Sequence, residues 1–282
     1  MMAAMRRPRR LIILVTIALA LAAVAPLRWA ESQRQPFAAF ARFTEAPADH
    51  PATAAARLAL HYTDAGLPDG VGGVRFYTSL GGPGGLASPA SGSIAIALGA
   101  PEDGYRELIT HERAHLLHAH LREAVDAILA TLPPPAPDHN ASTSPQEHFA
   151  EMAVSVDRVF WSGYGTELRP RASQVERLRE LERTVPGTAG MLLVLFDVTR
   201  LDTRFPPPWN YDDVREEATR LTRLPALWRP IREALIARRD VHGRLAPWPA
   251  LPVAAVLDLH RRDSPLLALF LAPSAALAKV IN

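Results

Sequence analysis

Two histidines and a glutamate stand close together near the middle of the chain, in an order suited to hydrolysis at a metal ion. Residues 110–115 read T-H-E-R-A-H and contain H-E-x-x-H inside a strongly helical pattern. Residues four apart lie on one helical face, so both imidazoles can reach one zinc ion at about 2.0 to 2.1 Å. Glu112, about 100° further round the helix, can hold a water and take its proton. The spacing predicts a zinc site with His111 and His115 as ligands and Glu112 as catalytic base.

A catalytic zinc site needs a third protein ligand and one open position. Residues 144–151 read S-P-Q-E-H-F-A-E and place Glu147 and Glu151 at the start of the next predicted helix. The same S-P-Q-E stretch is a capping box with proline at the first helical position, in which Glu147 binds backbone instead of metal. His118, on nearly the same face as His111, is an alternative third ligand or a polar group beside the site. The residues alone leave these alternatives open.

The two segments together resemble the gluzincin metallopeptidases, in which H-E-x-x-H on one helix is completed by a glutamate on a following helix. The E-H-F-A-E stretch at 147–151 is similar to the E-x-F-A-E element of the anthrax lethal factor and Mlc titration factor A families. The resemblance covers residues 93–161, and His118 stands where those families often have an acidic residue. It implies that Glu147 is the third zinc ligand and that Glu151 orients a ligand histidine.

The resemblance also implies a reaction, namely hydrolysis of peptide bonds in a peptide or protein substrate. In such peptidases an extended substrate pairs with the edge strand before the metal helix, which predicts docking on residues 93–98. A tyrosine or histidine commonly donates a hydrogen bond to the developing oxyanion. His139 and Tyr164 are the candidates for this role.

Other site chemistries are excluded by the sequence or stay as alternatives. The chain has no cysteine, so thiolate zinc sites and thiol nucleophiles are excluded. A di-iron site lacks its second Glu-x-x-His, and the metzincin pattern fails at His118 and Leu121. The remaining alternative is an envelope-anchored, non-catalytic metal-binding or regulatory protein with a degenerate site. Glu112 argues against it, because a structural zinc site gains nothing from a carboxylate between its histidines.

The N-terminus differs in character from the rest of the chain. Four arginines among residues 6–10 precede an uncharged apolar run at residues 11–27, which predicts a signal peptide or a transmembrane anchor. We therefore expect a protein of the cell envelope, anchored and facing the periplasm or exterior, or secreted. Without the five arginines of residues 1–30 the chain is mildly acidic, which predicts no nucleic-acid partner.

The remaining pattern predicts an α+β fold that is mostly helical. Strands are expected at residues 74–78 and 93–98, a long helix at about 103–131, a second helix at about 145–161, and further helices beyond residue 165. Two strands and two helices around H-E-x-x-H correspond to a zincin-like core with a helical C-terminal portion. The predicted organisation is a signal or anchor at 1–30, a metallopeptidase core at 31–165 and a helical subdomain at 166–282.

Overall fold

The computed structural model describes residues 20–21, 23–63, 73–99, 104–162, 167–199, 211–239 and 250–264. In these ranges helices dominate and a small sheet accompanies them, which confirms the predicted α+β, mostly helical fold. The helices are α1 (residues 23–33), α2 (Pro51–Thr63), α3 (Tyr105–His120), α4 (Arg122–Leu129), α5 (Pro145–Phe160), α6 (Arg171–Thr184), α7 (Thr188–Thr199), α8 (Asp212–Leu221), α9 (Arg229–Ala237) and α10 (Val253–Asp263).

The main sheet has three strands, β1 (Gly73–Tyr77), β2 (Gly85–Ser88) and β3 (Ser93–Ala97), in the order β1-β3-β2. Strand β1 is parallel to β3, with Gly73 opposite Ser93, whereas β2 is antiparallel to β3, with Ser88 opposite Ser93. Strand β3 is therefore paired on both sides. The expectation that residues 93–98 form the edge strand on which a substrate docks is wrong in its premise, because the edge strand beside α3 is β2. A separate pair, β4 (Trp161–Ser162) and β5 (Glu167–Leu168), follows α5.

Strand β3 is buried on both faces, as its nearly continuous apolar sequence predicts. Alternate residues point to opposite sides of a strand. Ile94 and Ile96 pack with Tyr105 and Ile109 of α3, whereas Ala95 and Ala97 pack with an aromatic cluster on the opposite face that includes Phe40 and Tyr77. This packing fixes α3 against the sheet.

The long helix expected at about 103–131 is broken at Leu121. This residue has φ −116° and ψ 28°, outside the helical region, so α3 ends at His120 and α4 starts at Arg122. The break lets Val125 and Ile128 of α4 turn into the large apolar cluster formed mainly by α5, α6 and α7. The H-E-x-x-H motif lies entirely on α3.

The N-terminal region packs onto protein in the part that the structure describes. No helix in the described ranges is long and apolar enough to cross a membrane, which contradicts the transmembrane prediction. The physical reason is visible in α1, which carries Arg28 and Glu31 and buries Ala30 in a cluster with Leu251 and Leu257. Residues 1–19 and 22 of the predicted segment lie outside the described ranges.

Candidate metal centre

Helix α3 brings His111, Glu112 and His115 together. The potential ligand atoms of these side chains all lie within 4.8 Å of one another, so the group can hold a metal ion. The two imidazole rings meet edge to face with centroids 4.7 Å apart, as expected for residues one turn apart on a helix. The histidines are partly exposed, whereas Glu112 is buried.

Helix α5 supplies a second carboxylate at the same point. One oxygen of Glu147 lies 3.0 Å from His111 Nε2 and the other lies 3.4 Å from His115 Nε2. Two ligands of a tetrahedral zinc ion, each at about 2.0 to 2.1 Å, lie roughly 3.3 Å apart. The two distances are close to this spacing, so the carboxylate of Glu147 lies within reach of a metal ion held by the two histidines.

The structure shows the serine half of the predicted capping box, whereas the Glu147 side chain turns towards the histidines. Ser144 precedes α5 in an extended conformation, and its Oγ accepts a hydrogen bond from the backbone N–H of Glu147 at 3.1 Å. Pro145 occupies the first turn, where its missing N–H costs nothing. The serine thus caps the helix while the carboxylate of Glu147 faces the histidines.

Glu151 lies one turn further along α5, behind His111. Its Oε1 is 3.4 Å from His111 Nδ1, the ring nitrogen that faces away from Glu147. Its Oε2 is 3.9 Å from His139 Nε2, while His139 Nδ1 accepts a hydrogen bond from the N–H of Ala141 at 3.2 Å. His139 is therefore oriented towards Glu151, and its role as an oxyanion donor stays a prediction. Tyr164, the other candidate, lies outside the described residues.

His118 is placed beneath the site. Its Nε2 is 3.3 Å from Asp126 Oδ1, and its ring packs 5.8 Å from that of Phe149, measured between centroids. Burial lowers the pKa of His118, although the neighbouring Asp126 opposes this. These contacts pair His118 with Asp126 on α4, at the floor of the cleft.

The charges of the site shift the pKa values of its groups strongly. Burial alone lowers the pKa of His111, but hydrogen bonds with Glu147 and Glu151 outweigh it and raise the pKa to about 10. Hydrogen bonds with His111 and His115 hold the pKa of Glu147 far below its usual range. Burial raises the pKa of Glu112, which the two histidines only partly offset. The carboxylates thus create a site that attracts positive charge.

Several side chains contact the site that the sequence analysis did not select. The amide of Asn140 donates to Glu147 at 2.8 Å and to Glu151 at 3.4 Å. Arg158 donates from Nη1 to Glu151 at 3.5 Å and pairs with Glu107 on α3. Nothing in the sequence marks Asn140, which lies in an irregular segment. The charged pair Asp157-Arg158 stands in an otherwise apolar part of α5 and could have indicated ionic contacts there.

The site opens into a cleft of about 850 Å³. One wall is β2 with the turn after it, and Gly85 lies so close to the site that an added Cβ would be 2.6 Å from Glu112 Oε1. A second cavity of about 530 Å³ adjoins the cleft and shares Pro83, Gly84, Glu107 and Leu108 with it. The far wall includes Val256, Leu259, His260 and Asp263 of α10 and Gln33 of α1.

Comparison of the chain with protein-family models, with curated proteins and with solved structures gives no match. The function is therefore inferred from the geometry and chemistry of the site.

Proposed function

We propose that the protein is a zinc-dependent peptidase of the gluzincin kind, with His111, His115 and Glu147 as the zinc ligands. The observation that supports it best is the convergence of both imidazoles on the two oxygens of one carboxylate, at 3.0 and 3.4 Å. Histidine and carboxylate are the ligand types of catalytic zinc sites, and a set of three leaves the fourth position open.

Each side chain around this centre has a role that follows from its contacts. Zinc held there would supply Lewis-acid chemistry, namely polarising a carbonyl and acidifying a water. Glu112, buried beside the two histidines, takes the proton of the attacking water as a general base. Glu151 accepts a hydrogen bond from His111 Nδ1 and so fixes the ring with its other nitrogen facing the centre.

The shape of the cleft supports a polypeptide substrate cut at internal bonds. Strand β2 is an edge of the sheet, so a peptide in extended conformation can add to it through main-chain hydrogen bonds. The cleft runs from α10 past the histidines, and the adjoining cavity continues it beyond Gly84. A bound chain can therefore extend in both directions from the reacting bond, as an endopeptidase requires.

The test uses the full chain and measures zinc content and hydrolysis in the same preparation. The substrates are internally quenched peptides blocked at both termini, and the variant is Glu112→Gln. We expect it to keep its zinc and lose hydrolysis by about 10² to 10⁴-fold, the usual contribution of a general base. Glu123→Gln, at an exposed glutamate on α4, is the matched control and should hydrolyse like the wild type.

The outcomes separate the parts of the proposal. A wild-type chain without zinc contradicts the metal site. Full activity of Glu112→Gln contradicts the role of the base. Zinc bound without any hydrolysis favours the non-catalytic metal-binding alternative.

A further inference from the structure

Two arginine–carboxylate pairs fasten α3 to α5 beside the metal centre. Arg106 on α3 pairs with Asp157 on α5 through two hydrogen bonds of 3.2 and 3.1 Å. Arg158 on α5 pairs with Glu107 on α3 in the opposite sense, through bonds of 3.1 and 2.6 Å. Both pairs are bidentate, so each fixes the orientation of its guanidinium as well as its position.

The two pairs differ in what else they touch. Asp157 also accepts a hydrogen bond from Thr110 at 3.3 Å, which is another contact between α3 and α5. Arg158 instead reaches Glu151 with its remaining nitrogen, Nη1, at 3.5 Å from Oε2. The other oxygen of Glu151 faces His111 Nδ1. A continuous series of contacts therefore runs from Glu107 through Arg158 and Glu151 to His111.

We infer that Arg158 is a positioning residue for the metal centre, acting on His111 through Glu151. This inference rests on the proposed zinc site. Glu107 holds the guanidinium in place, and the guanidinium holds one oxygen of Glu151, so that the other oxygen stays directed at the His111 ring. Groups that orient a ligand histidine in this way typically change metal affinity by 10 to 100-fold when they are removed.

A second effect of Arg158 has the opposite sign and must be controlled. Its positive charge near the centre disfavours a cation, so removing Arg158 alone would change charge and geometry together. Replacing Glu107 and Arg158 together removes one negative and one positive charge and leaves the net charge unchanged. The loss of orientation can then be measured alone.

The experiment compares two such double variants of the full chain. Glu107→Gln with Arg158→Met removes the pair that contacts Glu151. Arg106→Met with Asp157→Asn removes the equivalent clamp between the same helices and is the matched control. Zinc affinity is measured by competition with a chromophoric chelator, and thermal unfolding is followed on the zinc-free proteins. We expect zinc affinity to fall by about tenfold in the first variant and by less than about twofold in the second.

A third comparison tests whether the effect passes through Glu151. Glu151→Gln alone should weaken zinc binding, and adding the Glu107 and Arg158 substitutions to it should cause little further loss, because residues that act in series are not additive. Arg158→Lys keeps the charge but lacks the planar fork, so an intermediate affinity is expected. If a double variant does not fold, this single variant still reports the contribution of the fork.

The outcomes distinguish this inference from the function beneath it. Equal loss of zinc affinity in both double variants makes Arg158 a purely structural clamp and overturns the inference. Unchanged affinity in the first double variant and in Arg158→Lys overturns it as well. A wild-type chain that binds no zinc overturns the proposed function itself, together with this inference.

Discussion

The contact between β2 and Glu112, the proposed catalytic base, makes Gly85 the most informative single position outside the proposed ligands. A Cβ at this residue would lie 2.6 Å from Oε1, 2.7 Å from Cγ and 2.9 Å from Cδ of Glu112. Ordinary contacts of a Cβ start at 3.4 Å. In Gly85→Ala, either the carboxylate or the strand must therefore move by about 0.8 Å, the difference between these distances.

The carboxylate is the part that we expect to move. Because Cγ of Glu112 must shift together with the carboxylate, the side chain is driven off its rotamer, at a cost of about 0.5 to 1.5 kcal/mol. Replacing glycine by alanine also restricts the unfolded chain, which stabilises the protein by about 0.4 to 1 kcal/mol. These effects nearly cancel, so the folding stability should change little. Because a misplacement of about 1 Å can cost 10²-fold in rate, kcat should fall by about that factor.

The assay measures kcat on a blocked, internally quenched peptide together with zinc content and thermal unfolding. Gly84→Ala is the control, because a Cβ at the neighbouring residue meets a methyl group of Leu108 at 2.9 Å and not the base. We expect both variants to keep their zinc and their unfolding temperature within a few degrees. The loss of kcat should be confined to Gly85→Ala.

Two results would refute this reasoning about Gly85. Wild-type kcat in Gly85→Ala would show that Glu112 is not the base or that the strand absorbs the added methyl group. An equal loss of kcat in Gly84→Ala would show that substrate docking on β2, rather than the position of Glu112, is what both substitutions disturb.

Three further predictions concern the ligand set and the stability of the fold. Glu147→Ala should lose bound zinc in metal analysis, whereas Gln146→Ala, at the preceding residue on the cleft wall, should keep it. Asn140→Ala removes the donor 2.8 Å from Glu147 and should weaken zinc binding by about tenfold in chelator competition. Burial lowers the pKa of His120 from 6.5 to about 4, and the charge of Arg238 adds to this effect. Between these pH values the unfolded chain therefore binds a proton that the folded chain does not. Stability should therefore fall as pH drops through this window, by roughly 1 to 2 kcal/mol after allowance for solvent screening, and denaturant titrations of His120→Gln should show a smaller fall.

The sequence predicted best what is determined within one helix. The placement of His111 and His115 on one face of α3 follows from helical periodicity, and the Ser144 cap of α5 follows from its S-P-x-E pattern. The approach of α5 to α3 depends on tertiary packing, so spacing alone left Glu147 open between two roles. Only the resemblance to gluzincins favoured ligation.

The strand order shows why the rest was not predictable. Strand β2 has the sequence G-L-A-S and lies in a stretch rich in glycine, proline and serine, which predicts a loop. It forms because it can pair with β3. Whether a short segment of low strand propensity becomes a strand depends on such pairing. The error over the docking strand came from missing β2. The transmembrane prediction failed in the described part of the N-terminal run, because hydropathy does not show that Leu27 and Ala30 of α1 pack with Leu257 of α10.

The fold divides the proposed site between two interfaces, so we expect metal binding to be separable from hydrolysis. The ligands depend on how α5 meets α3, since Glu147 and Glu151 come from one helix and the histidines from the other. The base depends on how β2 meets α3, since Gly85 is the residue that leaves room for Glu112. Substitutions at the helix interface should change zinc affinity before they change kcat, whereas substitutions at the strand should change kcat with zinc in place. If both classes of variant lost zinc and activity together, the two interfaces would not be independent, and roles could not be assigned to single contacts in this site.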